Sequence, residues 1–222
     1  EARATNIWSV PASGGDPVQL TTEGGSGAQW IENGARIAFI AGGKVMAMNP
    51  DGTGKKEITG LNDFEILSFS PAGDKVYFTR RVKLDQTANE KYGLSNAKVR
   101  IIDDLMYRHW DYWHDYSYSH LFTASFDGAA ISNEKDIMEG QHFDAPDAPW
   151  FDAADIAWSP DGKYIAYACK KLTGKAYSLS TNTDIYLYDV TTGEEINITE
   201  GNMGYDKTPL FSPDGTMIAY SS

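Results

Sequence analysis

Trp158-Ser159-Pro160-Asp161-Gly162-Lys163-Tyr164-Ile165-Ala166-Tyr167 is the stretch on which the fold turns. An aromatic closes one apolar strand, Ser-Pro-Asp-Gly reverses the chain, and a second apolar strand leaves the turn. Pro presets φ at the first corner, Asp bonds back to the backbone, and Gly accepts the positive φ that follows. The unit returns as Phe211-Ser212-Pro213-Asp214-Gly215-Thr216-Met217-Ile218-Ala219-Tyr220. With Ala72 in place of the Asp, it returns again as Phe69-Ser70-Pro71-Ala72-Gly73-Asp74-Lys75-Val76-Tyr77-Phe78. A looser copy runs from Gln29-Trp30 through Glu32-Asn33-Gly34 to Arg36-Ile37-Ala38-Phe39-Ile40.

A second hairpin type alternates with this one. It is clearest as Ile185-Tyr186-Leu187-Tyr188-Asp189-Val190-Thr191-Thr192-Gly193 closing on Ile196-Asn197-Ile198-Thr199. Leu121–Gly128 and Val45–Thr59 repeat it, and Asn6–Thr21 opens the chain with another. The strand after each Ser-Pro turn is apolar at consecutive positions, as in Ile165-Ala166-Tyr167-Ala168 and Val76-Tyr77-Phe78. A strand with one wet face would alternate, so these must be covered on both sides. Four-stranded sheets stacked face to face about an axis cover them so, with a repeat of about 40–45 residues. The intervals Trp30 to Phe69 and Trp158 to Phe211 each suit one repeat, whereas Phe69 to Trp158 holds about one extra.

The expected fold is therefore all-β: a β-propeller of four-stranded blades, partial, with one long insertion. Its pieces are an outer half-blade over 6–22, a blade over 28–60, a blade over 66–140 with an insertion at 82–120, a blade over 156–200 and an inner half-blade over 208–222. The half-blades at the two ends read as cuts in a longer propeller.

Composition narrows the function. The chain has 222 residues, with 19 basic against 31 acidic and a formal charge of -12. Nothing in that balance could neutralise phosphates along a strand, which argues against a nucleic-acid partner. The sequence has no apolar run of membrane length and no signal-like start. Cys169 is the only cysteine, set in an apolar strand pattern where a buried inert thiol is expected.

The insertion carries the chemistry. Tyr107-Arg108-His109-Trp110-Asp111-Tyr112-Trp113-His114-Asp115-Tyr116 concentrates rings, imidazoles and carboxylates in one short run, extended by His120. A regular frame interrupted once in this way is how a scaffold presents a site. The His109, His114 and His120 spacings match no compact chelating motif, so the expectation is no metal and no cofactor. Arg108 with Asp111 reads either as a local ion pair or as a substrate contact, and Trp110 and Trp113 either line a pocket or plug the core. Val99, Ile102 and Met106 suit a short helix over 96–106 or a strand equally well. The Asp- and Pro-rich run from Phe143 to Asp152 is expected as a solvated connector, since it lacks the alternation and Gly of a calcium loop.

The repeated hairpins resemble the propeller of prolyl-oligopeptidase-family (S9) serine peptidases. They are similar also to WD40-like blades, to the periplasmic TolB propeller and to oligogalacturonate lyase, a family that holds a metal by propeller histidines. The Tyr107-Arg108-His109-Trp110-Asp111 segment resembles one found in secreted dipeptidyl-peptidase V and acylaminoacyl-peptidase-like members. The resemblance implies a propeller that gates access of small peptides to an α/β-hydrolase domain of the same polypeptide, in a secreted or periplasmic protein. The nucleophile of that family sits in Gly-x-Ser-x-Gly, which does not occur here, so no catalytic residue is carried over. It further implies substrate contacts from Arg108, His109, Trp110, Asp111 and Trp113. A carboxylate from Asp103, Asp104 or Asp111 would meet the peptide's amino end. Two alternatives come from the same repeat: a TolB-like binding scaffold with no enzyme attached, and a metal-dependent lyase-type propeller.

Overall fold

The computed structural model describes residues 5–94, 96–102 and 105–222. The strands are β1 (Trp8–Ser9), β2 (Val18–Gln19), β3 (Ser26–Ile31), β4 (Arg36–Ala41), β5 (Lys44–Met48), β6 (Lys56–Glu57), β7 (Leu67–Phe69), β8 (Lys75–Lys83), β9 (Arg108–His109), β10 (Tyr112–Trp113), β11 (Ser117–Phe126), β12 (Ile131–Asp136), β13 (Ile156–Trp158), β14 (Tyr164–Cys169), β15 (Asp184–Asp189), β16 (Glu195–Asn197), β17 (Lys207–Phe211) and β18 (Ile218–Ser221). Three sheets have four strands, in the orders β3-β4-β5-β6, β12-β11-β8-β7 and β13-β14-β15-β16, and the remaining pairs are hairpins. The all-β, four-stranded pattern expected from the repeat is what the chain forms.

The repeated turn is closed by a serine hub. Ser159 Oγ donates to Asp161 at 2.6 Å and accepts from Lys163 N and Tyr164 N at 3.1 and 2.8 Å. Gly162, at φ 68°, donates to Ser159 O at 2.9 Å. Ser212 repeats this with Asp214 and Met217. Where Ala72 has displaced the aspartate, Asp74 takes its place and accepts from Ser70 Oγ at 3.0 Å.

The chain forms two compact units, Glu1–Phe78 with Thr123–Lys135, and Thr79–Phe122 with Asp136–Ser222. In the first unit, Ile7, Leu20, Ile37, Phe39 and Met48 make a core between the β1–β2 hairpin and the β3–β6 sheet. In the second, Ala166, Ala168 and Ile185 pack against Leu187, Ile198, Phe211 and Ile218. The β17–β18 hairpin thus lies on the β13–β16 sheet. Every residue of β14 from Ile165 to Cys169 is fully buried, at 0% exposure. That is the two-sided covering the consecutive apolar pattern requires.

The insertion leaves the β12-β11-β8-β7 sheet between its inner pair, β7–β8, and its outer pair, β11–β12. Strands β8 and β11 run on into the stretch expected as insertion, so the irregular part is narrower than 82–120. It begins with a helix α1 (Ala88–Tyr92), started by a Thr87–Glu90 capping box and ended by Gly93 in the left-handed region. Residues 96–102, expected as helix or strand, are neither. No apolar partner covers Val99, Ile101 and Ile102, which stay exposed, so their spacing has nothing to fold against. A second helix, α2 (Gly174–Leu179), joins β14 to β15. No helix among the described residues is long and apolar enough to cross a membrane.

Candidate functional site

The aromatic stretch folds as the β9–β10 hairpin, with His109 opposite Tyr112 and Arg108 opposite Trp113. Cross-strand pairing makes the contacts that the sequence left open. Arg108 does not pair with Asp111; its guanidinium lies 5.2 Å from the Trp113 ring, and Arg100 covers the same ring at 4.2 Å. Tyr107 stacks on Trp113 at 5.9 Å. Two cations on an indole outrank a surface ion pair, because the guanidinium keeps its hydration while the ring is covered.

Trp110 sits at the hairpin tip with φ 46° and is 74% exposed, so it does not plug a core. It meets Trp150, itself 62% exposed, edge to face at 6.3 Å. His109 lies against Trp110 and Tyr112 at 5.2 and 5.8 Å, and its Nε2 is buried without a hydrogen-bond partner. Asp111 is exposed beside Trp110. Asp104 and its neighbour Asp103 lie outside the described residues.

Beside the hairpin, in the same unit, sits a charged cluster that the sequence reading missed. The run from Phe143 to Asp152, expected as a solvated connector, is partly buried instead. Asp147 is 4% exposed, and burial pushes its carboxyl up to about 6, against the opposing pull of Lys170. Asp144 accepts from Ser119 N at 2.7 Å and meets Arg81 at 3.5 Å, and burial raises it above the usual carboxylate range. Lys170 is lowered by burial and lies 4.1 Å from the Tyr177 ring. Fully buried Asp155 pairs with Lys207 at 3.0 Å and accepts from Thr208 N at 3.0 Å. The Cys169 thiol donates to Asp144 O at 3.3 Å, and burial holds it well above its ordinary pKa, so it is inert as expected. The density of Asp in 143–155 was the one available signal. Its partners Arg81, Lys170 and Lys207 are remote in sequence.

The remaining imidazoles are held by their neighbours. His114 Nδ1 accepts from Tyr116 N at 3.0 Å, and burial depresses its pKa. His120 bridges Asp136 at 2.7 Å and Gln141 O at 2.8 Å, and His142 meets Asp85 at 2.8 Å. His114 and His142 pack on the Tyr118 ring, at 4.8 and 5.4 Å. Among the described residues no three His, Cys, Asp or Glu side chains gather on a metal. Chemically, the arrangement offers exposed indoles to apolar groups and half-buried carboxylates and cations to charged ones.

The class follows from fold. The chain superposes on acylaminoacyl peptidase from Pyrococcus horikoshii with a TM-score of 0.59, over 96% of this chain and 30% of that one, at 13% identity. It superposes on TolB from Acinetobacter baumannii with a TM-score of 0.56, over 99% of this chain and 44% of that one, at 15% identity. At such identities the likeness is one of fold, that of TolB-like β-propellers.

Sequence narrows it. The chain is 44% identical over 227 residues to dipeptidyl-peptidase 5 of Porphyromonas gingivalis, covering 97% of this chain and 33% of the relative. To dipeptidyl-peptidase 5 of Porphyromonas endodontalis it is 40% identical over 226 residues, covering 98% of this chain and 33% of the relative. No family model matches the chain. The resemblance to dipeptidyl-peptidase V and acylaminoacyl-peptidase-like propellers thus stands. The chain is a peptidase-related propeller domain spanning about a third of the curated relatives it matches.

Proposed function

We propose that this chain is the substrate-gating propeller of a secreted or periplasmic serine exopeptidase of the dipeptidyl- or acylaminoacyl-peptidase type. It acts on small peptides, and hydrolysis is done by an α/β-hydrolase domain of the same polypeptide. The observation that carries this reading is identity of 40–44% to dipeptidyl-peptidase 5 along nearly the whole chain. The fold supports it through a rigid frame that projects one ring-rich hairpin.

In this reading Trp110 and His109 receive apolar side chains of the peptide, Trp113 carries Arg108 so that it faces a carbonyl or carboxylate, and Asp111 or Asp104 meets the amino end. Such contacts hold the peptide at a fixed distance from the nucleophile, which acts mainly on binding. The test is Trp110→Ala in the whole polypeptide, assayed with dipeptidyl substrates. We expect KM to rise about tenfold, the loss of one apolar ring contact to the peptide worth about 1–1.5 kcal/mol, with kcat little changed. An unchanged KM in a folded variant removes the hairpin from substrate binding, and a serine-directed inhibitor without effect on the wild type removes the peptidase.

A further inference from the structure

Three buried side-chain oxygens near the start of β15 have no hydrogen-bond partner: Asn182 Oδ1, Asp184 Oδ1 and Asp206 Oδ2. Topology places them together. Thr183 and Tyr205 form a parallel bridge, closed by Thr183 N to Gly204 O at 3.1 Å and Asp206 N to Thr183 O at 3.4 Å. Partners in a parallel pair share a face, and successive residues alternate. Asn182, Asp184 and Asp206 therefore project from the face opposite Thr183 and Tyr205.

Asp206 has 0% exposure, and its second oxygen accepts from Asn202 Nδ2 at 2.7 Å. Asn202 Nδ2 also donates to Ser222 Oγ at 3.0 Å. A Cβ on Gly204 would stand 2.0 Å from Ser222 Oγ and 2.9 Å from Asp206 Oδ1, so the glycine keeps this corner open. Among the described residues neither Asp184 nor Asp206 enters an ion pair. Asp155 shows the contrast: its own buried oxygen has Lys207 at 3.0 Å. Two carboxylates on one face, one of them sealed from water and neither given a counter-charge, call for a cation.

We propose that Asp184, Asp206 and Asn182 bind a divalent cation of the calcium class. Hard oxygen donors of this kind, carrying two negative charges and an amide carbonyl, suit calcium, which completes about six to eight oxygens with water and backbone carbonyls. The ion ties the first residue of β15 to the segment entering β17, and its role is structural and separate from peptide binding.

The test uses the whole polypeptide, stripped with a chelator, dialysed and titrated calorimetrically with calcium chloride while thermal unfolding is followed in parallel. A single site should appear, with Tm rising as calcium is added. Asp184→Asn and Asp206→Asn should each weaken calcium binding about tenfold or more and remove the calcium-dependent rise in Tm. Absence of calcium binding to the wild type overturns the proposal, as does binding undiminished in Asp184→Asn. An Asp206→Asn variant that melts above the calcium-saturated wild type also overturns it, since the carboxylate would then be an uncompensated charge. Should Asp206→Asn fail to fold, the less buried Asp184→Asn decides.

Discussion

Asp147→Asn gives a direct test of the buried charged cluster. The Asp147 carboxyl is held at about 6 against an ordinary 3.8 because burial outweighs the attraction of Lys170. The folded chain therefore keeps a proton that the unfolded chain releases near pH 4. Since the native state binds more protons in that window, stability falls as pH rises from about 4 to about 6 and is flat above. The difference amounts to about 3 kcal/mol. Asn fills the same space and has no proton to lose. Its advantage over Asp should be near zero at pH 4, grow through pH 5 and level off at about 3 kcal/mol above pH 6. Urea unfolding of wild type and variant in parallel, at pH 4, 5, 6 and 8, reads the difference. The same gap at pH 4 and pH 8 would refute the reasoning, because a packing change has no reason to follow proton binding.

Two further substitutions probe the frame. Gly60 has φ 90°, and a Cβ there would stand 2.0 Å from Ile131 O, so Gly60→Ala should cost about 3 kcal/mol and lower Tm by about 6–12 °C. A melting point within a degree of wild type would show that the backbone at the Thr59–Ala130 bridge moves freely. Tyr167 donates its hydroxyl to Glu195, which also pairs with Lys171, and burial keeps that phenol protonated at any ordinary pH. Tyr167→Phe should cost about 1–2 kcal/mol in denaturant melts, independent of pH between 6 and 9, and a gain in stability would count against the hydrogen bond.

The frame was legible because its causes are local. Ser159, Asp161 and Gly162 build their turn from neighbours in the chain, and Ile165 through Cys169 announce two-sided burial by the mere run of apolar residues. Helix α1 was equally local, with Thr87 and Glu90 in capping-box spacing. The apolar spacing of Val99, Ile102 and Met106 points to a helix further downstream, where none forms among residues 96–102. Apolar spacing predicts a helix only where something covers it, whereas a cap is satisfied within its own turn.

The candidate site divides along the same line. The ring-rich hairpin could be seen as unusual, yet its contacts could not, since Arg108 chooses Trp113 over Asp111 only once the register of β9 and β10 is fixed. The charged cluster is the harder case. Asp144 and Asp147 belong to a segment whose composition reads as solvent-facing, and they are drawn inward by groups far along the chain: Arg81 on β8, Lys170 just past β14 and Ser119 on β11. Composition records what a residue favours when alone, and a carboxylate favours water unless the fold supplies donors. Burial of acids is therefore a property of pairs of distant elements. The two-sided strands that reveal the fold in sequence are the same elements that bring those partners within reach. Disrupting β14 should accordingly disturb both the core and the Asp147 titration, while shaving the exposed Trp110 should leave that titration where it is.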